Sequence, residues 1–517
     1  MEAVFRRLAA NMKSVLFGLC LLSVTTRMVW ADWRDLAGFP QLQAELGAAL
    51  PNGSGIPVMM SEATLASPEL PPLYLPEATA GSLPFPGTGV LSGKLITPHS
   101  GASGASGHAS AVAGYFCGTS QSVSPGVTDL HVWWADEFAG EVFYGAPIPV
   151  FAGSVQNHSW VGGDADENVN VEFLRRFDFM LDRDGVVATT PMNNGGAMAK
   201  FLANAYHGIS TGLRNGGHPQ THSNVEVNGR MKPDVVVHES VTSLAGPATA
   251  SVATLLLDAI RPAFPAADDP RVVKAIILSA ASKQNLLGWR RLSTSRPYDE
   301  VHGAGELNVL NAYHILTGDR QTPSEEQRCG LSGWDFRPSQ TTEPRRYFFR
   351  LLPGQWGATV AATLTWHRTV SADFTSASLA NLNLHLRQAT GFTPGALVDE
   401  SVSSIDNVEH LFLRNLPPGD YVLEVSAAAA EVDYGLAWEV QLGTGPQLVA
   451  QRDGATVNLT LSQLDPLKSY TLQASTDLED WQPLTTIRTA DSTPATSAHW
   501  QDINPGSQKF YQLSWTP

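Results

Sequence analysis

Four side chains in this 517-residue sequence could together break an acyl bond: Glu62, His108, Asn193 and Ser243. A serine hydroxyl attacks a carbonyl effectively only when a base takes its proton and a carboxylate orients that base. Donors must also receive the charge that builds on the carbonyl oxygen. Taken singly, each of the four has a plainer explanation: a solvated strand end, a surface histidine, a turn and a helix cap. Their order along the chain, each at the end of an expected strand or the start of an expected helix, is what joins them.

Ser243 lies in Val241-Thr242-Ser243-Leu244-Ala245-Gly246-Pro247, a small turn that runs into the alanine-rich stretch 248–257. That stretch has no polar stripe wide enough for a surface helix, so it reads as a buried one. Pro247 is expected in its first turn, where a missing N–H costs nothing. Ser243 would then sit beside unpaired N–H groups at the positive end of the helix dipole, as an N-cap or as a nucleophile.

The positioning elements follow in chain order. Residues 53–63 read as a turn feeding a buried strand that ends near Glu62, and residues 107–114 as a helix start headed by a histidine. Residues 146–151 and 154–160 read as strand segments, 172–181 as a helix, and the β-branched run 186–190 as a central strand entering Pro191-Met192-Asn193-Asn194-Gly195-Gly196. Amphipathic helices are expected over 271–283 and 308–317. Strands alternating with helices imply an α/β fold whose mostly parallel sheet is covered on both faces.

These motifs resemble those of the subtilisin-like serine proteases, the subtilases. The family's Gly-Thr-Ser-x-Ala-x-Pro is matched by residues 241–247 at all but the first position, and its histidine motif is matched in part by residues 107–114, with His108 in the catalytic place. Its Ala-Gly-Asn-x-Gly aligns with 191–195, which places Asn193 as the oxyanion asparagine. Arg230-Met231-Lys232-Pro233-Asp234-Val235-Val236 resembles the strand before the serine loop, and 303–309 the turn before the last helix. The resemblance implies a three-layer subtilisin-like domain and a secreted serine endopeptidase acting on peptide or protein substrates, with no cofactor required. A catalytically inactive subtilase-fold binding protein is the alternative.

Three departures bear on that chemistry. Val241 replaces a glycine and is expected to forbid a glycine-only backbone before Ser243. Ala109, Ser110 and Ala111 alter the histidine motif. No aspartate occurs between Asp35 and Asp129, so an acid supplied by the first strand must be Glu62, giving a Glu62–His108–Ser243 triad.

Past Asp319 the texture changes to short alternating runs with turns between them, an antiparallel β-sandwich pattern. The expected organisation is a signal peptide at 1–31, the catalytic domain at 32–319, a β-sandwich at 320–444 and a small fibronectin-like all-β module at 445–517. Arg6, Arg7 and Lys13 before the apolar residues 14–24, with Val29-Trp30-Ala31 after them, form the export pattern. Cleavage after Ala31 leaves little room for a folding prodomain before the first strand, and no transmembrane segment is expected afterwards.

A charge of -16 disfavours nucleic-acid binding. Cys117 and Cys329, left after cleavage, could pair but make no disulfide framework. Residues 162–170 are oxygen-rich, a solvated loop or a candidate structural Ca2+ site. His207, His218 and His222 cluster without a zinc spacing. Asn157-His158-Ser159 and Asn458-Leu459-Thr460 are glycosylation sequons.

Overall fold

Glu62 closes a five-residue strand, β1 (Val58–Glu62), whose residues are all buried because helices cover both of its faces. In this computed structural model, residues 32–515 are described apart from 65–72, 79–83, 102–103, 221, 287, 340–342, 354, 356, 429–430, 444–445, 463, 465–468, 489–496, 504 and 507–508. The expected signal peptide lies outside the described residues.

The chain opens on two short helices, α1 (Trp33–Leu36) and α2 (Phe39–Leu46). The remaining strands of the first sheet are β2 (Phe85–Pro86), β3 (Leu95–Pro98), β4 (Asp129–Trp134), β5 (Val155–His158), β6 (Val187–Pro191), β7 (Ile209–Leu213) and β8 (Val235–Val237). Their order is β2-β3-β4-β1-β5-β6-β7-β8, with every pair parallel except β2–β3. From β1 the chain crosses to the sheet edge at β2 and returns inward through β3 and β4, whereas from β5 it builds outward on the other side. The ends of β1 and β5 therefore border a crevice of the kind in which α/β sheets bind ligands.

Helices α3 (Gly107–Cys117), α4 (Ala135–Tyr144), α5 (Glu167–Asp184), α6 (Thr242–Ala263), α7 (Pro270–Ala280) and α8 (Val309–Thr317) complete the layers. Val58 and Met60 pack toward α3 and α6, whereas Met59 packs toward α4 and α5. Helix α6 is long and apolar enough to cross a membrane, yet most of it is buried in this core. Its apolar surface is spent on packing.

Two expectations are corrected. Residues 146–151 form no strand, because the backbone carbonyls of Ile148 and Pro149 accept from the Arg183 guanidinium instead of a neighbouring chain. Pro247 is the sixth residue of α6 and not in its first turn, since the helix starts at Thr242.

The sandwich pairs two four-stranded antiparallel sheets. One contains Arg345–Leu351, Gly419–Ala427, Leu382–Thr390 and Thr393–Ser401, and the other Val408–Leu416, Ala358–Trp366, Asp433–Gln441 and Ser332–Pro338. Two three-stranded sheets follow, from Gln447–Asp453 to Phe510–Trp515. Trp334, Val408 and Ala437 of the sandwich share a buried cluster with α6 and α7, so the core continues across the chain boundary near residue 319.

Candidate active site

Glu62 is fully buried, and its Oε2 lies 2.7 Å from His108 Nδ1. The histidine is held by the start of α3, where Ser106 Oγ caps the helix by accepting from Ala109 N at 3.3 Å. Glu62 Oε1 is buried with no hydrogen-bond partner among the described residues. Burial pushes the Glu62 carboxyl up to about 7, against the hydrogen bond and charge of His108. The hydrogen bond to Glu62 outweighs partial burial at His108 and raises the imidazole above its ordinary value. His108 thus holds its proton more tightly than it would alone, whereas Glu62 holds its own less tightly than burial by itself would dictate.

Ser243 is the second residue of α6. Val241, at the N-cap, has φ −140° and ψ 145°, an extended conformation open to any residue, so the loss of the motif's glycine imposes no backbone strain. Thr242 N–H donates to Asn194 Oδ1 and Leu244 N–H to the Val241 carbonyl, at 2.8 and 3.1 Å. The intervening Ser243 N–H has no acceptor among the described residues. Asn193, in the loop after β6, accepts from Ala199 N at 2.8 Å through its Oδ1. That bond fixes the amide's orientation and leaves Nδ2 to donate elsewhere. Among the described residues, no hydrogen bond joins Ser243 Oγ to His108.

Pro247 removes the N–H that would ordinarily bond the Ser243 carbonyl. Ser159 Oγ, just past the end of β5, donates to that carbonyl at 3.0 Å instead. Ser159 in turn accepts from Asn157 Nδ2 at 2.9 Å, and Asn157 Oδ1 accepts from Thr189 Oγ1 at 3.1 Å. A buried relay therefore runs from β6 through β5 to the backbone of Ser243. Gly246 makes room for it: a Cβ there would stand 2.9 Å from Asn157 Oδ1.

None of Asn157, Ser159, Thr189 or Asn194 was singled out for this role by the sequence. The available signal was Pro247, because a proline inside a helix demands a donor from outside. Asn157 is fully buried in the sheet, so the first sequon is inaccessible in the folded chain.

The remaining candidates separate. In the oxygen-rich loop, Asp166 Oδ1 caps α5 by accepting from Asn168 N, Asp164 Oδ1 accepts from Asp166 N, and Asn170 Oδ1 accepts from Asp164 N. These oxygens accept within the loop and cap the helix, and no group of three His, Cys, Asp or Glu suited to a metal occurs among the described residues. His207 stacks on His367, His218 bridges Leu213 N and the Val301 carbonyl, and His222 faces Arg296 and Glu300. Cys117 and Cys329 are free thiols.

No protein-family model matches the chain, and no curated protein does. Among solved structures it is similar to a lanthipeptide protease, with 14% identity over 55% of this chain and 94% of that one and a TM-score of 0.35. It is also similar to a patellamide maturation protease, with 12% identity over 56% and 99% of the two chains and a TM-score of 0.34. Tripeptidyl peptidase 2 is 10% identical over 80% of this chain and 53% of that one, with a TM-score of 0.27. In the structure itself, the mostly parallel eight-stranded sheet followed by antiparallel β-sheets agrees with the fold that the sequence motifs imply.

Proposed function

We propose that the protein is a serine peptidase that cleaves peptide bonds through an acyl-enzyme. The observation that carries this reading is the 2.7 Å bond between the strand-end carboxylate of Glu62 and His108 Nδ1. It fixes the imidazole tautomer so that Nε2 can serve as the base. His108 takes the Ser243 proton as Oγ attacks the peptide carbonyl, and Glu62 stabilises the imidazolium that results. Ser243 N–H and Asn193 Nδ2 donate to the oxyanion. His108 then protonates the leaving amine, and water releases the acyl group by the same steps. The route uses only these side chains and backbone groups. The substrate is a peptide or protein, and export follows from the N-terminal pattern.

The inactive binding-protein reading has one observation in its favour, the missing hydrogen bond between Ser243 Oγ and His108. Catalytic hydrogen bonds in unliganded sites are often long and tighten on binding substrate, which favours the enzyme. A fluorophosphonate probe separates the two. Labelling of the wild type and not of Ser243→Ala supports the peptidase, and no labelling of either supports the alternative. Asn193→Ala should lower kcat by about a hundredfold, the effect of removing one oxyanion donor.

A further inference from the structure

We infer that Asn194 is a positioning residue that holds the Asn193 loop against the Ser243 turn; this rests on the peptidase reading above. Helix α6 begins without a cap of its own, because Val241 offers no side-chain acceptor. Asn194 supplies one from a different segment. Its Oδ1 accepts from Thr242 N at 2.8 Å and from Thr242 Oγ1 at 2.9 Å, so both bonds fall on the residue before Ser243.

The peptide that carries this acceptor is covalently joined to Asn193. On its other side, Gly195 N–H donates to the Gly217 carbonyl at 3.0 Å, and Asn193 Oδ1 is occupied by Ala199 N. The loop is thus pinned at three consecutive residues, and only the middle pin reaches α6. Among the described residues, Ser243 N–H on the helix and Asn193 Nδ2 on the loop are left without acceptors. Asn194 is the side chain that fixes one donor-bearing segment to the other. Donors that must meet a single oxygen lose effect when their spacing is loosened. Asn194 is itself exposed, so removing its amide opens no cavity in the core.

The measurement is hydrolysis of p-nitrophenyl butyrate by the full chain, with fluorophosphonate labelling in parallel. Asn194→Ala should lower kcat by about tenfold or more, as expected when a donor is misplaced by a fraction of an ångström. KM should stay within about twofold, since the interaction lost belongs to the transition state. Placed in an Asn193→Ala background, Asn194→Ala should cost less than about threefold further, because coupled positions are not additive. Thr242→Val keeps the packing and the amide bond and should give an intermediate loss, which covers the case in which Asn194→Ala does not fold. An unchanged kcat in Asn194→Ala, or an equal loss in both backgrounds, overturns the positioning role alone. A wild type that neither turns over the ester nor takes up the probe overturns the peptidase reading, and the role of Asn194 with it.

Discussion

A buried carboxylate with a single partner among the described residues titrates unlike one at a surface, and Glu62 is in that position. The proposed mechanism needs His108 neutral, and Glu62 holds the imidazole's proton more tightly than usual. The acid limb of kcat/KM should therefore lie above pH 6.5, the ordinary value of the imidazole. Glu62→Gln removes the charge that helps raise His108 and leaves at most a weaker, neutral amide bond against burial, which lowers it. The limb should move to lower pH, while kcat falls by about 10⁴-fold through loss of the orienting carboxylate. A limb that stays in place in Glu62→Gln would show that another group governs it. The same residue enters stability with a definite sign. Folding raises Glu62 from 4.5 to about 7, so its contribution is whole below pH 4.5 and is lost as pH rises through about 7. The Tm of Glu62→Gln should accordingly vary less than wild type across that window. Glu62 was legible in the sequence as a strand end and as the only acid the first strand could offer. Its unpaired oxygen was not, since no pattern reports what a buried atom lacks.

Helix α6 shows where sequence reading stops at the level of an element. Its burial was evident from an apolar run with no polar face. The register was not, because the start lies five residues before Pro247, at a position capped from another loop. Register decides chemistry here: with Pro247 sixth in the helix, the Ser243 carbonyl loses its usual donor and Ser159 replaces it. Ser159→Ala should then leave a part-buried carbonyl without its donor and cost about 1 kcal/mol in urea unfolding. Pro247→Ala restores an N–H at the i+4 position. In that background Ser159→Ala should cost distinctly less, and the coupling in the double-mutant cycle measures the exchange. Equal costs in the two backgrounds would mean that the Ser159 bond contributes nothing to holding the turn.

The switch to alternating strands marked the sandwich in the sequence, yet nothing there indicated how it joins the first domain. The join is ionic and buried. Arg368, between two sandwich strands, donates through Nε to Asp178 Oδ2 of α5 at 2.7 Å and through Nη1 to Glu226, and its backbone N–H donates to His207 Nε2 at 3.0 Å. The sequence around Arg368 gives no sign of this contact, because a salt bridge spanning 190 residues leaves no local trace. Asp178 is fully buried, and the charges of His207 and Arg368, with two backbone N–H bonds, offset that burial and hold it down at about 2. Its contribution to stability is therefore present through the ordinary pH range and is lost only as pH falls through about 2. Arg368→Met removes the cation and keeps much of the side chain's volume. It should destabilise the whole chain by about 3–5 kcal/mol, the cost of leaving a buried carboxylate unpaired. Adding Asp178→Asn should recover part of that loss by removing the stranded charge. If the sandwich were an independent appendage, Arg368→Met would leave the proposed peptidase activity and its thermal inactivation unchanged. With one core running from α6 into the sandwich, unfolding and loss of activity should instead shift together to lower temperature.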